Sequence, residues 1–201
     1  MDLGAEFMEK STKVLYIGPL RNRKIVSDSI DSVPSTKLIE RSGDCDNGFR
    51  RFKEIEPDLI LLDLENLDNS DLDFAGRVME ENPTPIILLA KKGEKSKLVV
   101  KFFERGAIDF VPKPKKQDES DQFKEELSSK IKSGLGAKIE SWEKAAKRKS
   151  VTKTAPVQKS SKKEVLAIGG STGAPSFLTE LVSGFPEDFP LSVLIAQHMP
   201  G

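Results

Sequence analysis

Residues 58–64, Asp-Leu-Ile-Leu-Leu-Asp-Leu, restrict the fold more than any other stretch of the chain. Apolar residues at successive positions point to both sides of a strand, so such a strand must be covered on both faces. Residues 13–17 (KVLYI), 85–89 (PIILL) and 107–111 repeat the theme, and 36–40 forms a more polar strand signal. Between these runs the apolar spacing turns helical. Ile25, Val26, Ile30 and Val33 mark residues 22–33, and further helices are predicted over 48–55, 72–81 and 95–105, the last stopped by Gly106. A helix over 119–131 follows, interrupted by Gly134 and Gly136. Alternation of this kind predicts an α/β fold: five βα units forming one parallel sheet with helices on both sides. Functional groups in such sheets gather at the carboxyl ends of the strands.

Charge divides the chain into three sections. It carries 32 basic and 32 acidic residues in 201, so the total favours no charged partner and gives no reason to expect nucleic-acid binding. The first 114 residues hold 18 basic and 21 acidic side chains, residues 115–163 hold 14 and 7, and the remainder holds none and 4. The middle is therefore a basic connector, and residues 150–163 (SVTKTAPVQKSSKK) have a flexible, solvated composition. Met1 to Phe7 (MDLGAEF) reads as an expression leader before a start at Met8. The expected division is 8–133 for the sheet domain, 134–163 for the linker and 164–201 for the beginning of a second domain. Cys45 has no second cysteine to pair with, and the lone His198 makes a zinc site unexpected. No apolar run reaches the roughly 20 residues a bilayer-spanning helix needs, so a cytoplasmic chain without direct membrane insertion is expected.

The last section opens with V-L-A-I-G-G-S-T-G-A-P, a strand running into small residues and a proline-led helix, and a second strand over 191–196 ends at Gln197-His198-Met199-Pro200. Gly169, Gly170, Thr172 and Gly173 surround Ser171 in a G-x-S-x-G pattern, which exposes a serine on a tight strand-to-helix turn. The same turn could hold a phosphate, or the serine could simply cap the helix. His198 separates these readings. A right-handed βαβ crossover makes the two strands parallel, so Ser171 and His198 should follow corresponding strand ends. A hydroxyl nucleophile needs a base of near-neutral pKa at that place.

The motifs A-I-G-G-S-T-G-A-P and L-I-A-Q-H-M-P, with D-F-V-P-K-P at 109–114 and N-P-T-P-I-I-L-L at 82–89, resemble the CheB-type chemotaxis response-regulator methylesterases. The resemblance implies a flavodoxin-like (βα)5 receiver domain, a linker, and the first βαβ unit of an α/β serine-esterase domain. It implies Ser171 as nucleophile on the methyl esters of chemoreceptor glutamates, with glutamine deamidation as a second activity. His198 would be the general base, Gly169, Gly170, Thr172 and Gly173 the oxyanion turn, and hydrolysis would need no cofactor. The family's orienting aspartate comes later than Gly201, so the 201-residue chain alone is expected to be inactive. Methylated chemoreceptors and a chemotaxis histidine kinase are the implied partners.

In the receiver half the resemblance makes Asp63 the phosphoacceptor position and Lys113 the fifth-strand lysine. The pattern is broken elsewhere. Gly18-Pro19 stands where an acidic pair would help hold Mg²⁺, and Ala90 replaces a hydroxyl residue. Mg²⁺ dehydrates reluctantly and needs more than a single carboxylate, so a metal at Asp63 is not expected. The alternative to an enzyme is then a pseudo-receiver that acts through protein contacts without phosphate control.

Overall fold

The computed structural model describes residues 11–91, 96–114, 119–136, 165–170 and 174–197. Five strands and five helices alternate in its first part. They are β1 (Thr12–Ile17), α1 (Arg23–Asp31), β2 (Thr36–Ser42), α2 (Cys45–Ile55), β3 (Leu59–Asp63), α3 (Leu72–Glu81), β4 (Ile86–Lys91), α4 (Ser96–Glu104), β5 (Asp109–Lys113) and α5 (Ser120–Leu135). All neighbouring strands pair in parallel, in the order β2-β1-β3-β4-β5. The chain reverses its direction of winding between β1 and β3, and the crevice at that switch is where doubly wound sheets place ligands.

The unbroken apolar runs are explained by two cores, one on each face. Leu15, Ile17, Ile60 and Leu62 point toward Phe52, Phe74, Val78 and Phe102 on α2, α3 and α4. Their neighbours Val14, Tyr16, Leu59 and Leu61 point toward Val26, Ile30, Phe123 and Leu127 on α1 and α5. All of β3 is buried. Each fully buried Leu or Ile contributes about 1.5–3 kcal/mol, enough to carry one charged residue inward if its polar atoms find partners. That residue is Asp63, at the strand's end and only 1% exposed.

Several element boundaries differ from expectation by a few residues, and three have a clear local reason. α2 begins three residues early because Asp44 caps it, accepting a hydrogen bond from the Asn47 N–H at 2.8 Å. β5 runs two residues further than predicted, through Pro112, because it is an edge strand and edge positions tolerate a missing N–H. The expected interruption at Gly134 does not occur; α5 passes through it to Leu135. A Cβ at Gly134 would lie 3.0 Å from Leu59 Cδ1 and 3.2 Å from Ile87 Cδ1, so the missing side chain lets α5 settle against the sheet.

Farther along, β6 (Val165–Gly170), α6 (Ala174–Ser183) and β7 (Ser192–Gln197) form a βαβ unit with its own two-stranded parallel sheet. Its strands are largely uncovered: Val165 is 55% exposed and Leu194 63%. The connector over 137–164 lies outside the described residues.

Candidate functional site

Of the two groups of predicted site residues, the first lies at described strand ends and the second lies mostly outside the described residues. The first is the receiver crevice. β3 delivers Asp63, and the extended β5 delivers Lys113, which is in register with Lys91 on β4. Lys113 Nζ donates to Asp63 Oδ1 at 2.7 Å, both side chains being almost wholly buried. The two receiver residues singled out from the sequence are therefore in direct contact.

Around them stand groups that sequence reasoning did not single out. Glu65, two residues past Asp63, accepts from Lys113 Nζ through Oε2 at 2.8 Å. Its Oε1 is paired with the Arg21 guanidinium and lies 3.7 Å from Lys91 Nζ. Asn22 Nδ2 donates to Asp63 Oδ2 at 2.8 Å and approaches Glu65 Oε2 at 3.2 Å. The Tyr16 hydroxyl lies 3.2 Å from both Asp63 Oδ2 and the Pro19 carbonyl, sharing its single proton between them. Two carboxylates therefore face three cations. The hydrogen bond from Lys113 holds the Glu65 carboxyl down at about 2, with Arg21 and Asn22 adding to the effect against the opposing cost of burial. Burial, followed by the Asp63 charge, pushes the Tyr16 hydroxyl far above its usual range.

Gly18 belongs to this arrangement. A Cβ there would lie 2.5 Å from Asp63 Cβ and 2.7 Å from the Tyr16 hydroxyl oxygen. The space a side chain at 18 would need is already filled by the tyrosine. Ala90, the other departure from pattern, is buried beside the crevice at the end of β4.

These residues do not fit a divalent cation. Each Asp63 oxygen already has two donors, Lys113 Nζ and the Glu65 N–H at Oδ1, Asn22 and Tyr16 at Oδ2. A carboxylate offers about four lone-pair sites; three accept from Lys113, the Glu65 N–H and Asn22, and the fourth faces the proton that Tyr16 shares with Pro19. Glu65 is likewise engaged by cations that a metal would repel. Among the described residues no group of three or more His, Cys, Asp or Glu side chains is placed to hold a metal ion.

The second group is the serine–histidine edge. Ser171, Thr172, Gly173 and His198 lie outside the described residues, but the strands leading to them do not. Gly170 and Gln197 are Cα partners in the parallel register of β6 and β7. The residues immediately after these partners are Ser171 and His198. Gly170 has a packing reason to be glycine, since a Cβ would fall 2.0 Å from Gln197 Oε1 and 2.8 Å from Ala174 Cβ. Gly169 has none, because a Cβ there meets nothing within 4 Å.

Comparison with known proteins adds three observations. A family model described as CheB methylesterase matches residues 166–201. The protein-glutamate methylesterase/protein-glutamine glutaminase 2 of Methanosarcina mazei is 31% identical over 190 residues, covering 89% of this chain and 51% of the relative. The corresponding enzyme 3 of Geobacter sulfurreducens is 31% identical over 216 residues, covering 96% and 58%. The chain is a homologue of the CheB-type methylesterases. It spans about half the length of the curated relatives it matches. Its first part matches the crystal structure of the response regulator domain of Thermotoga maritima CheB, at 26% identity and a TM-score of 0.55, over 63% of this chain and 98% of that one. The receiver domain of Mycobacterium tuberculosis NarL, at 19% identity and a TM-score of 0.52, shares the fold. The flavodoxin-like receiver fold and the esterase family of the last section therefore agree with the sequence motifs.

Proposed function

We propose that this chain is the receiver and the leading catalytic segment of a chemotaxis protein-glutamate methylesterase. The observation that carries the reading is the register of β6 and β7, which sets Gly170 beside Gln197 and so starts the serine turn and the histidine loop from one sheet edge. The chemistry is acyl transfer. Ser171 Oγ attacks the carbonyl carbon of a receptor glutamate methyl ester while His198 takes the hydroxyl proton. That proton goes to the departing methoxide, methanol leaves, and water activated by the same imidazole hydrolyses the acyl-serine to glutamate and free enzyme. Attack on a glutamine side chain, with ammonia leaving, would proceed in the same way. Backbone N–H groups of the Gly169–Gly173 turn and the start of α6 would face the developing oxyanion. Neither step calls for a metal.

The proposed substrate is a methylated chemoreceptor, the proposed setting the cytoplasm, and a chemotaxis histidine kinase the proposed partner of the receiver half. Among the described residues no helix is long and apolar enough to cross a membrane. The test is methanol release from methylated receptor by the native protein purified from its own cells. Ser171→Ala should abolish release and His198→Gln should lower it by at least about a hundredfold, the usual worth of a general base. A native protein that releases no methanol, or whose Ser171→Ala form still does, would remove the serine mechanism. The non-catalytic pseudo-receiver would then take its place, a reading favoured by the filled crevice around Asp63.

A further inference from the structure

The receiver crevice contains an anion of its own. Lys113 does not face Asp63 alone; its ammonium bridges Asp63 Oδ1 at 2.7 Å and Glu65 Oε2 at 2.8 Å. Glu65 also draws in Arg21 from the β1–α1 loop and Lys91 from the end of β4. Three cations supplied by three different strand ends converge on a single carboxylate that belongs to the chain. Opposite them, Tyr16 and Asn22 complete the partners of Asp63 Oδ2. Gly18 leaves the room that Tyr16 takes.

We propose that Glu65 is a resident counter-anion that closes this receiver to phosphate and to Mg²⁺, so that Asp63 acts as a fixed structural anchor and the unit holds one state without phosphoryl control. Three physical points support it. A phosphoryl group on Asp63 would need an oxygen lone pair that now accepts a hydrogen bond, and would place a second anion against Glu65. Like charges within a few ångströms in a partly desolvated crevice repel far more strongly than they do in bulk water. A divalent cation would have to displace Lys113, Asn22 and Tyr16 and would meet Arg21 and Lys91 besides. The cations are not idle, however. With the Glu65 charge removed, Arg21 and Lys91 would lose their shared anion while Lys113 kept only Asp63, leaving a net positive edge suited to a tetrahedral oxyanion.

The inference rests on reading residues 11–136 as a receiver unit. Its test reads phosphate chemistry rather than ester hydrolysis, so it can fail while the methylesterase reading stands, and the converse. The 201-residue chain is incubated with acetyl phosphate and Mg²⁺ and its intact mass measured, beside a receiver known to accept phosphate from the same donor. Inorganic phosphate is then titrated calorimetrically, at constant ionic strength, into wild type, Glu65→Gln and the double variant Glu65→Gln/Lys113→Met. The expected result is no phosphoryl adduct on wild type. Glu65→Gln should bind phosphate at least about tenfold more tightly than wild type, the effect of removing one like charge, and the double variant should lose that gain. A phosphoryl adduct on wild type that Asp63→Asn abolishes would overturn the proposal. So would a Glu65→Gln protein, folded by circular dichroism, that binds phosphate no better than wild type. Should Glu65→Gln fail to fold, the wild-type labelling decides alone, adduct against the proposal and no adduct for it.

Discussion

Glu65 ties its own charge to the stability of the fold. Its folded carboxyl titrates at about 2 against an ordinary 4.5, chiefly because Lys113 donates to it. A depressed folded value means that the unfolded chain takes up the proton first as acid is added. The stabilisation is therefore complete above about pH 4.5, declines as pH falls, and is gone once pH drops through about 2. Urea unfolding of wild type and Glu65→Gln across pH 2 to 7 should show a gap that is constant above about pH 5 and closes toward pH 2. A gap independent of pH would mean that Glu65 contributes packing and not charge. Of this site the sequence showed Asp63 and Lys113, because a carboxylate and a lysine at strand ends carry a familiar pattern. It hid Tyr16, Asn22 and Glu65, because each acquires its role only when β1, β3 and β5 meet at one edge. The departures at Gly18 and Ala90 were visible, but what filled the gap was not. Position did offer one clue: Arg21, Asn22 and Glu65 lie in the loops after β1 and β3, the two strands that flank the switch in winding.

Elements were legible where their apolar period was strong and shifted where a single residue decided the boundary. β3 and α3 could be placed from pattern alone, whereas α2 depended on the Asp44 cap and α5 on the space around Gly134. How α5 is fastened could not be read at all. Lys130 reaches back to β5 and donates to Asp109 at 3.0 Å and 2.8 Å, one bond to each carboxylate oxygen. Asp109 Oδ1 also accepts from the Phe110 N–H at 2.8 Å. The pair is nearly buried, with side chains 12% and 6% exposed. Removing one partner leaves a charge without compensation in a place water reaches poorly, whereas removing both does not. Lys130→Met should cost about 3 kcal/mol in urea unfolding, and Asp109→Asn/Lys130→Met should recover much of that loss. A double variant as unstable as the single would show that the cost lies in packing of the lysine stem.

At the scale of the whole molecule the contrast is between a sheet covered on both faces and a sheet covered on little of either. β3 has five buried residues in succession, while β6 alternates exposed and intermediate positions and β7 is mostly exposed, with Ile195 at 45% and Leu194 at 63% exposure. Stability within a chain follows the apolar area each part removes from water, so parts with little burial open locally at low cost. Hydrogen exchange on the 201-residue chain should therefore divide along this line. Amides of β1, β3 and β4 should exchange only through global unfolding, and those of β6 and β7 at least about a hundredfold faster. The same physics underlies the expectation that this chain alone releases no methanol. In the proposed mechanism a nucleophile and its base must be held within hydrogen-bond reach, and a strand pair that opens easily is a poor base for holding them. Protection in β6 and β7 equal to that in β3 would mean that the βαβ unit is rigid by itself. The loose sheet would then no longer be a reason to expect inactivity.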